Sequence, residues 1–92
     1  MAALRREIDE QDRSLIAILA KRRDLAQRIT KLKIGFGHDL WVAGRVREIV
    51  ETRAAWAKEL NLDADFVAEF FKKLIDSNMK FEEEMLREHA EK

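Results

Sequence analysis

Apolar residues recur along the first third of the chain at alternating steps of three and four residues, the spacing of a helix that buries one face. We call this face the seam; its apolar members are Leu4, Ile8, Leu15, Ile18, Leu25, Ile29 and Leu32. Residues 4–33 contain neither Gly nor Pro, so they are predicted to form one helix about 45 Å long. A compact monomer of 92 residues is too small to cover such a length. The pattern therefore predicts a homodimer, in which a second copy buries the far half of the seam.

Two further helices are predicted after a loop at residues 34–40, which holds two of the three glycines. The second spans about 41–60, with one side formed by Val42, Val46, Ile49, Val50, Arg53, Trp56 and Leu60. Asp63 is a suitable N-cap for the third, which spans about 64–88. The stripe of the third helix comprises Val67, Phe70, Phe71, Leu74, Ile75, Asn78, Glu82, Met85 and Leu86. Residues 1–92 are thus predicted to form a single all-α domain of three helices per chain.

Composition narrows the classes of function. The chain is 47% apolar and 39% charged, a balance typical of long amphipathic helices. Its formal net charge of zero argues against a nucleic-acid-binding protein. Cysteine is absent, which excludes disulfides and zinc–thiolate sites, and no histidine–carboxylate cluster indicates a metal. Without a long apolar run or a signal-type N-terminus, we expect a cytoplasmic protein that has no cofactor and does not bind membranes.

A cation interrupts the seam. Arg22 lies between Ile18 and Leu25, and a buried guanidinium is costly unless it meets an anion. Lys33 follows eleven residues later, only about 20° around the helix, so the two cations share one stripe. This arrangement predicts a site for a small anion. The alternative is that Arg22 pairs with Glu82, while Lys33 only interacts with the C-terminal end of its helix.

Polar residues also interrupt the third helix. Asn78 and Glu82 are four residues apart within its apolar stripe, so they are either a satisfied pair in the core or a donor and an acceptor that line a pocket. Arg45, near the start of the second helix, either lies on the surface or turns inward beside Val42 and Val46. No serine or cysteine nucleophile has a base at a readable spacing. An enzyme of this sequence would therefore work by positioning and electrostatics.

The ordered set of these residues resembles a known family. The opening motifs are Leu4-Arg5-x-x-Ile8-x-x-x-Asp12, Leu19-Ala20-x-Arg22-Arg23-x-Leu25-Ala26 and Lys31-x-Lys33. They resemble the first helix of the all-α chorismate mutase family. The similarity continues through Arg45, Arg53, Leu62-Asp63-x-x-Phe66 and Leu74-Ile75-Asp76-x-Asn78, and it covers nearly the whole chain.

The resemblance implies an intertwined homodimer of three-helix chains with two active sites. Arg22, Lys33 and Arg45 would come from one chain and Arg5 from its partner. Together they would hold the two carboxylates of a chorismate-like substrate by charge-assisted hydrogen bonds. The implied activity is that of an isomerase, which rearranges chorismate to prephenate in a unimolecular step.

The resemblance also implies how the reaction is assisted. Lys33 and Glu82 would each supply a hydrogen-bond donor to the breaking ether oxygen, and Arg22 would hold the substrate beside them. Glu82 can donate only when it is protonated, so activity is expected to rise on mild acidification. Asn78 stands where the family often has a serine, and it is expected to contact the substrate.

The second helix departs from the family pattern. The family usually has an acid three residues before the arginine and a glutamate directly after it, and these positions are Val42 and Val46 here. Because that glutamate normally recognises the ring hydroxyl, both valines are expected to line the substrate pocket. Gly44-Arg45-Val46 and Arg53-Ala54-Ala55 also resemble 4-amino-4-deoxychorismate mutases and isochorismate-pyruvate lyases.

Three alternatives to a chorismate mutase therefore stay open. One is an enzyme with one of these two related activities. Another is a non-catalytic helical dimerisation module, in which Arg22, Asn78 and Glu82 only fix the register of the helices. The third is an inactive family member that has a regulatory partner.

Overall fold

The computed structural model describes residues 1–36 and 43–91 of the chain. It contains three helices, α1 (Ala2–Phe36), α2 (Ala43–Glu59) and α3 (Ala64–Glu91), and no strand within the described residues. The prediction of an all-α fold with a long first helix is therefore confirmed. α1 extends a few residues beyond the predicted span at both ends, and the predicted start of the second helix at residues 41 and 42 lies outside the described residues.

α1 determines the shape of the molecule. The chain measures 54 × 27 × 16 Å, and 35 helical residues account for about 52 Å of the longest dimension. Residues 1–18 are all exposed. The second half of α1 packs on α3, with the Arg23 guanidinium 5.1 Å from the centre of the Phe81 ring and Thr30 buried. Within the described residues, no helix, α1 included, combines the length and the apolarity needed to cross a bilayer.

α2 and α3 form an antiparallel pair joined by a tight turn. The amides of Leu60 and Leu62 both donate to the carbonyl of Ala57, at 3.1 and 2.9 Å, and Asn61 takes the left-handed conformation with φ 58°, as is common where a helix ends. Asp63 then starts α3, because its Oδ1 accepts the amides of Asp65 at 3.0 Å and Phe66 at 3.2 Å. The predicted N-cap is confirmed.

The core of the single chain is small and lies between α2 and α3. Its buried apolar residues within the described part are Ile49, Ala57 and Ile75. Trp56 and Leu60, which the sequence placed on the same side as Ile49, are 52% and 73% exposed in the single chain, so this side is not buried along its whole length. The small Ala57, next to Trp56, is 4% exposed.

Candidate functional site

Two of the most buried positions of α3 are polar. Phe71, Ile75, Asn78 and Glu82 follow one another at steps of four, three and four residues, so they lie on a single face of the helix. Ile75 is 1% exposed, Asn78 4% and Glu82 3%. A core built only for stability favours apolar residues at such depth. This face is therefore the first candidate for a binding surface.

Asn78 has a donor without an acceptor. Its Nδ2 is buried and has no hydrogen-bond partner among the described residues, whereas Glu82 does make an interaction. Leaving a buried amide donor unsatisfied costs about 1–3 kcal/mol. A satisfied core pair would not carry this cost, so Asn78 fits the other alternative, a donor that lines a pocket.

Arg22, a residue of α1, lies near Phe71, at the N-terminal end of this face of α3. Its guanidinium carbon is 5.9 Å from the centre of the Phe71 ring, and the residue is half-buried. Burial, followed by the nearby charges of Arg53 and Arg45, holds the pKa of Arg22 below the usual value for a guanidinium. Even so, a guanidinium stays protonated in proteins. The positive charge of Arg22 is thus destabilised by its surroundings, and a bound anion would offset that cost.

The ion pairs of the described residues do not neutralise Arg22. They join Arg28 to Asp24, Arg45 to Glu48 and Lys72 to Glu69, all on the surface. The alternative that Arg22 pairs with Glu82 is therefore not what the structure shows. The predicted site for a small anion has a half-buried cation available for it.

α2 supplies the rim of the site. Arg45 lies in the first turn of α2, where its Nη1 donates to Glu48 Oε1 at 2.6 Å and both side chains are about half exposed. The structure thus places Arg45 at the surface of this chain rather than inside it. Val46, directly after it, is half-buried and offers a substrate no hydrogen-bonding group.

The remaining predicted site residues are not brought together within this chain. Arg5 is exposed on the half of α1 that projects from the rest of the molecule. Lys33 belongs to the last turns of α1, but its side chain lies outside the described part, as does Val42. The roles predicted for these three residues stay predictions.

The helical period placed Arg53 on the same side of α2 as Ile49 and Trp56, and no function was predicted for it. It is half-buried, and its charge acts on Arg22 more strongly than that of Arg45. A charged residue on a predicted apolar side was a usable signal. Within the described residues, no group of three His, Cys, Asp or Glu side chains is arranged to hold a metal ion.

Comparisons with known proteins match this chain over most of its length. The family described as chorismate mutase type II matches residues 4–83. The bifunctional chorismate mutase/prephenate dehydratase of Escherichia coli strain K12 is 29% identical over 92 residues, all of this chain and 24% of that protein. A chorismate mutase of Methanocaldococcus jannaschii is 27% identical over 92 residues, all of this chain and 93% of that protein. The chain spans about a quarter of the length of the bifunctional relatives that it matches.

Proposed function

The chain belongs to the chorismate mutase type II family, and we propose on this basis that it is a chorismate mutase, an isomerase that rearranges chorismate to prephenate. One observation carries the proposal. The matched segment, residues 4–83, contains the half-buried Arg22 without an ion-pair partner in the described part and the buried donor of Asn78. A dicarboxylate would satisfy both groups.

The proposed substrate contacts follow from charge. Arg22 and Lys33 of one chain, with Arg45 at the rim and Arg5 of a second copy, hold the two carboxylates of chorismate by charge-assisted hydrogen bonds. Binding both carboxylates at fixed positions restrains the substrate in the compact conformer from which the bond between its two carbon ends can form. Such restraint lowers the barrier without any covalent contribution from the protein.

The proposed assistance of the reaction is electrostatic. Negative charge develops on the ether oxygen as its bond to the ring carbon breaks, and donors that are already in place stabilise it. Lys33 donates from one side and the protonated carboxyl of Glu82 from the other. Asn78, one helical turn from Glu82, donates its Nδ2 hydrogen to the bound substrate. Val42 and Val46 line the pocket with apolar surface.

We also propose that the active protein is an intertwined homodimer. The chain exposes 7762 Å², whereas a compact monomer of 10.8 kDa exposes about 5500 Å². The excess of about 2200 Å² per chain is ample for an obligate interface. The seam accounts for part of it, because Leu4, Ile8 and Ile18 are each about 60% exposed. Packing this half of α1 on a second copy buries those residues and carries Arg5 to the partner's site.

A related substrate is the second candidate. Val46 is half-buried beside Arg45 and cannot accept a hydrogen bond from a ring hydroxyl. This favours a chorismate-like acid that differs at the ring substituent, and the activity would then be that of a 4-amino-4-deoxychorismate mutase or an isochorismate-pyruvate lyase. The alternative of another class is a non-catalytic dimerisation module.

A three-substrate assay separates these functions. Purified protein is incubated separately with chorismate, 4-amino-4-deoxychorismate and isochorismate, and the loss of each is followed by chromatography. We expect chorismate to be converted to prephenate, and we expect Arg28→Ala, which removes only a surface ion pair to Asp24, to leave the rate unchanged. Preferential loss of one of the other two acids would support the second candidate. If the protein converts none of the three acids, both enzymatic candidates are contradicted.

A further inference from the structure

Arg53 lies at the centre of the buried face of α2. It is four residues after Ile49 and four before Ala57, which are 3% and 4% exposed. Each step of four residues turns the helix by about 40°, so Arg53 is midway in angle between the two most buried positions of α2. Its backbone therefore faces the same interior as they do.

The charge of Arg53 has no carboxylate partner among the described residues. The ion pairs found there do not include it, and its polar contact is a neutral hydroxyl, Thr52 Oγ1. Arg45, in contrast, is paired with Glu48. Neither Arg22 nor Arg53 has an ion-pair partner among the described residues, and the charge of Arg53 contributes to lowering the pKa of Arg22. Two like charges side by side repel, and an anion between them converts that repulsion into attraction.

The guanidinium of Arg53 is also held in place. Its Nη1 donates to Thr52 Oγ1 at 2.9 Å, and Thr52 donates in turn to the carbonyls of Glu48 and Ile49 at 2.7 and 3.1 Å. Its carbon lies 4.6 Å from the centre of the Trp56 ring, within the range of a cation–π interaction. A guanidinium has five N–H donors. Because one donor and one face of the guanidinium are already held, its remaining N–H donors can bind an anion at little further cost in side-chain entropy.

We propose that Arg53 is a substrate-binding residue of this site, which holds one carboxylate of the substrate jointly with Arg22. The inference rests on the proposed function, since it concerns the same pocket and the same dicarboxylate. It assigns a pocket role to a residue of α2 additional to Arg45 at the rim. Thr52 and Trp56 act as positioning residues for the guanidinium. An acidic side chain of a second copy is the competing partner for Arg53, and the test distinguishes the two.

The test compares Arg53→Gln with Arg47→Gln, which removes an exposed arginine of the same helix. The ligands are chorismate, a rigid bicyclic dicarboxylate that mimics the compact conformer, and its two monocarboxylate analogues, each lacking a different carboxylate. Kinetics give KM and kcat, and calorimetry gives affinities. Sedimentation at several protein concentrations reports the oligomeric state of each variant.

We expect Arg53→Gln to raise KM and weaken dicarboxylate binding by about 10- to 100-fold, the value of a hydrogen bond to a charged group. It should affect one monocarboxylate analogue and spare the other, because only one of them keeps the carboxylate that Arg53 holds. A general loss of folding would weaken both analogues equally. Arg47→Gln should match the wild type throughout.

Two results would overturn the role of Arg53. One is a KM and a set of affinities equal to those of Arg47→Gln. The other is a weakened dimer whose activity returns at high protein concentration, which would assign Arg53 to an ion pair with the second copy. A wild-type protein that binds the dicarboxylate but converts no substrate would defeat the proposed function and leave the role of Arg53 to be decided by affinity. A wild type that binds none of the ligands would overturn both.

Discussion

At the scale of single residues, the candidate site is marked by polar side chains at depths that apolar ones usually occupy. Arg22, Asn78 and Glu82 could all be found from the sequence, because each interrupts a helical stripe at a position that the period predicts to be buried. The unsatisfied Nδ2 of Asn78 could not, because hydrogen bonding depends on distances between helices. The influence of Arg53 on Arg22 depends on such distances as well.

Glu82 provides a prediction at this scale. Only its protonated carboxyl can donate to the ether oxygen, whereas the amide of Glu82→Gln donates at any pH. We expect wild-type activity to rise as the pH falls from 8 to 5 and the profile of Glu82→Gln to be flatter. At pH 8 the variant should exceed the wild type by up to about 100-fold, the value of one such donor. The measurement is kcat against pH on chorismate.

Glu83→Gln is the matched control for this prediction. Glu83 is the exposed neighbour of Glu82 and its variant should follow the wild-type profile. A wild-type profile that stays flat from pH 5 to 8 would show that Glu82 is not the donor.

At the scale of helices, periodicity predicted where the helices lie in the sequence, but it did not predict how deeply each helix face is buried. The break at residues 61–63 and the cap at Asp63 follow from local chemistry, so the sequence predicted them. The exposure of Trp56 and Leu60 does not follow from local chemistry, because it depends on which parts of α2 the other helices cover. Within the chain α2 packs mainly on α3, and its buried residues in the described part are Ile49 and Ala57. The apolar stripe of one helix does not show how much of that stripe a neighbouring helix covers.

The cap of α3 gives a prediction at this scale. Asp63→Ala removes the acceptor of two amide donors, those of Asp65 and Phe66. We expect it to lower the free energy of unfolding by about 1 kcal/mol, measured by urea denaturation. Asp76→Ala, at an exposed position within α3, should change it by less than about 0.5 kcal/mol. Equal effects of the two substitutions would show that the cap contributes nothing.

At the scale of the whole molecule, the first half of α1 has no cover of its own. Its length was readable from the absence of Gly and Pro in residues 4–33, and the inference of a second copy followed from that length. The structure adds the exposure of residues 1–18. How two copies cross, and so which arginine enters which site, is a relation between chains that one sequence pattern does not contain.

The seam yields a prediction about assembly. Ile8→Lys places a charge in the proposed interface, whereas Ala17→Lys, nine residues on, places one on the opposite side of the helix. We expect Ile8→Lys to raise the dimer dissociation constant at least about 100-fold and Ala17→Lys to leave it unchanged. Analytical ultracentrifugation measures both. A wild type that sediments with the 10.8 kDa mass of one chain would contradict the proposed dimer.

Mixing two inactive variants tests the central claim most directly, since a site that takes Arg22 from one chain and Arg5 from the other can be rebuilt from two damaged chains. Arg5→Ala and Arg22→Ala should each be nearly inactive alone. When their subunits are exchanged in equal amounts, half of the dimers are mixed, and in each of these one site has neither substitution. We predict recovery of about a quarter of the wild-type rate of chorismate conversion. No recovery, in a mixture whose subunit exchange has been verified by mass spectrometry, would contradict a catalytic site shared between two copies of this chain.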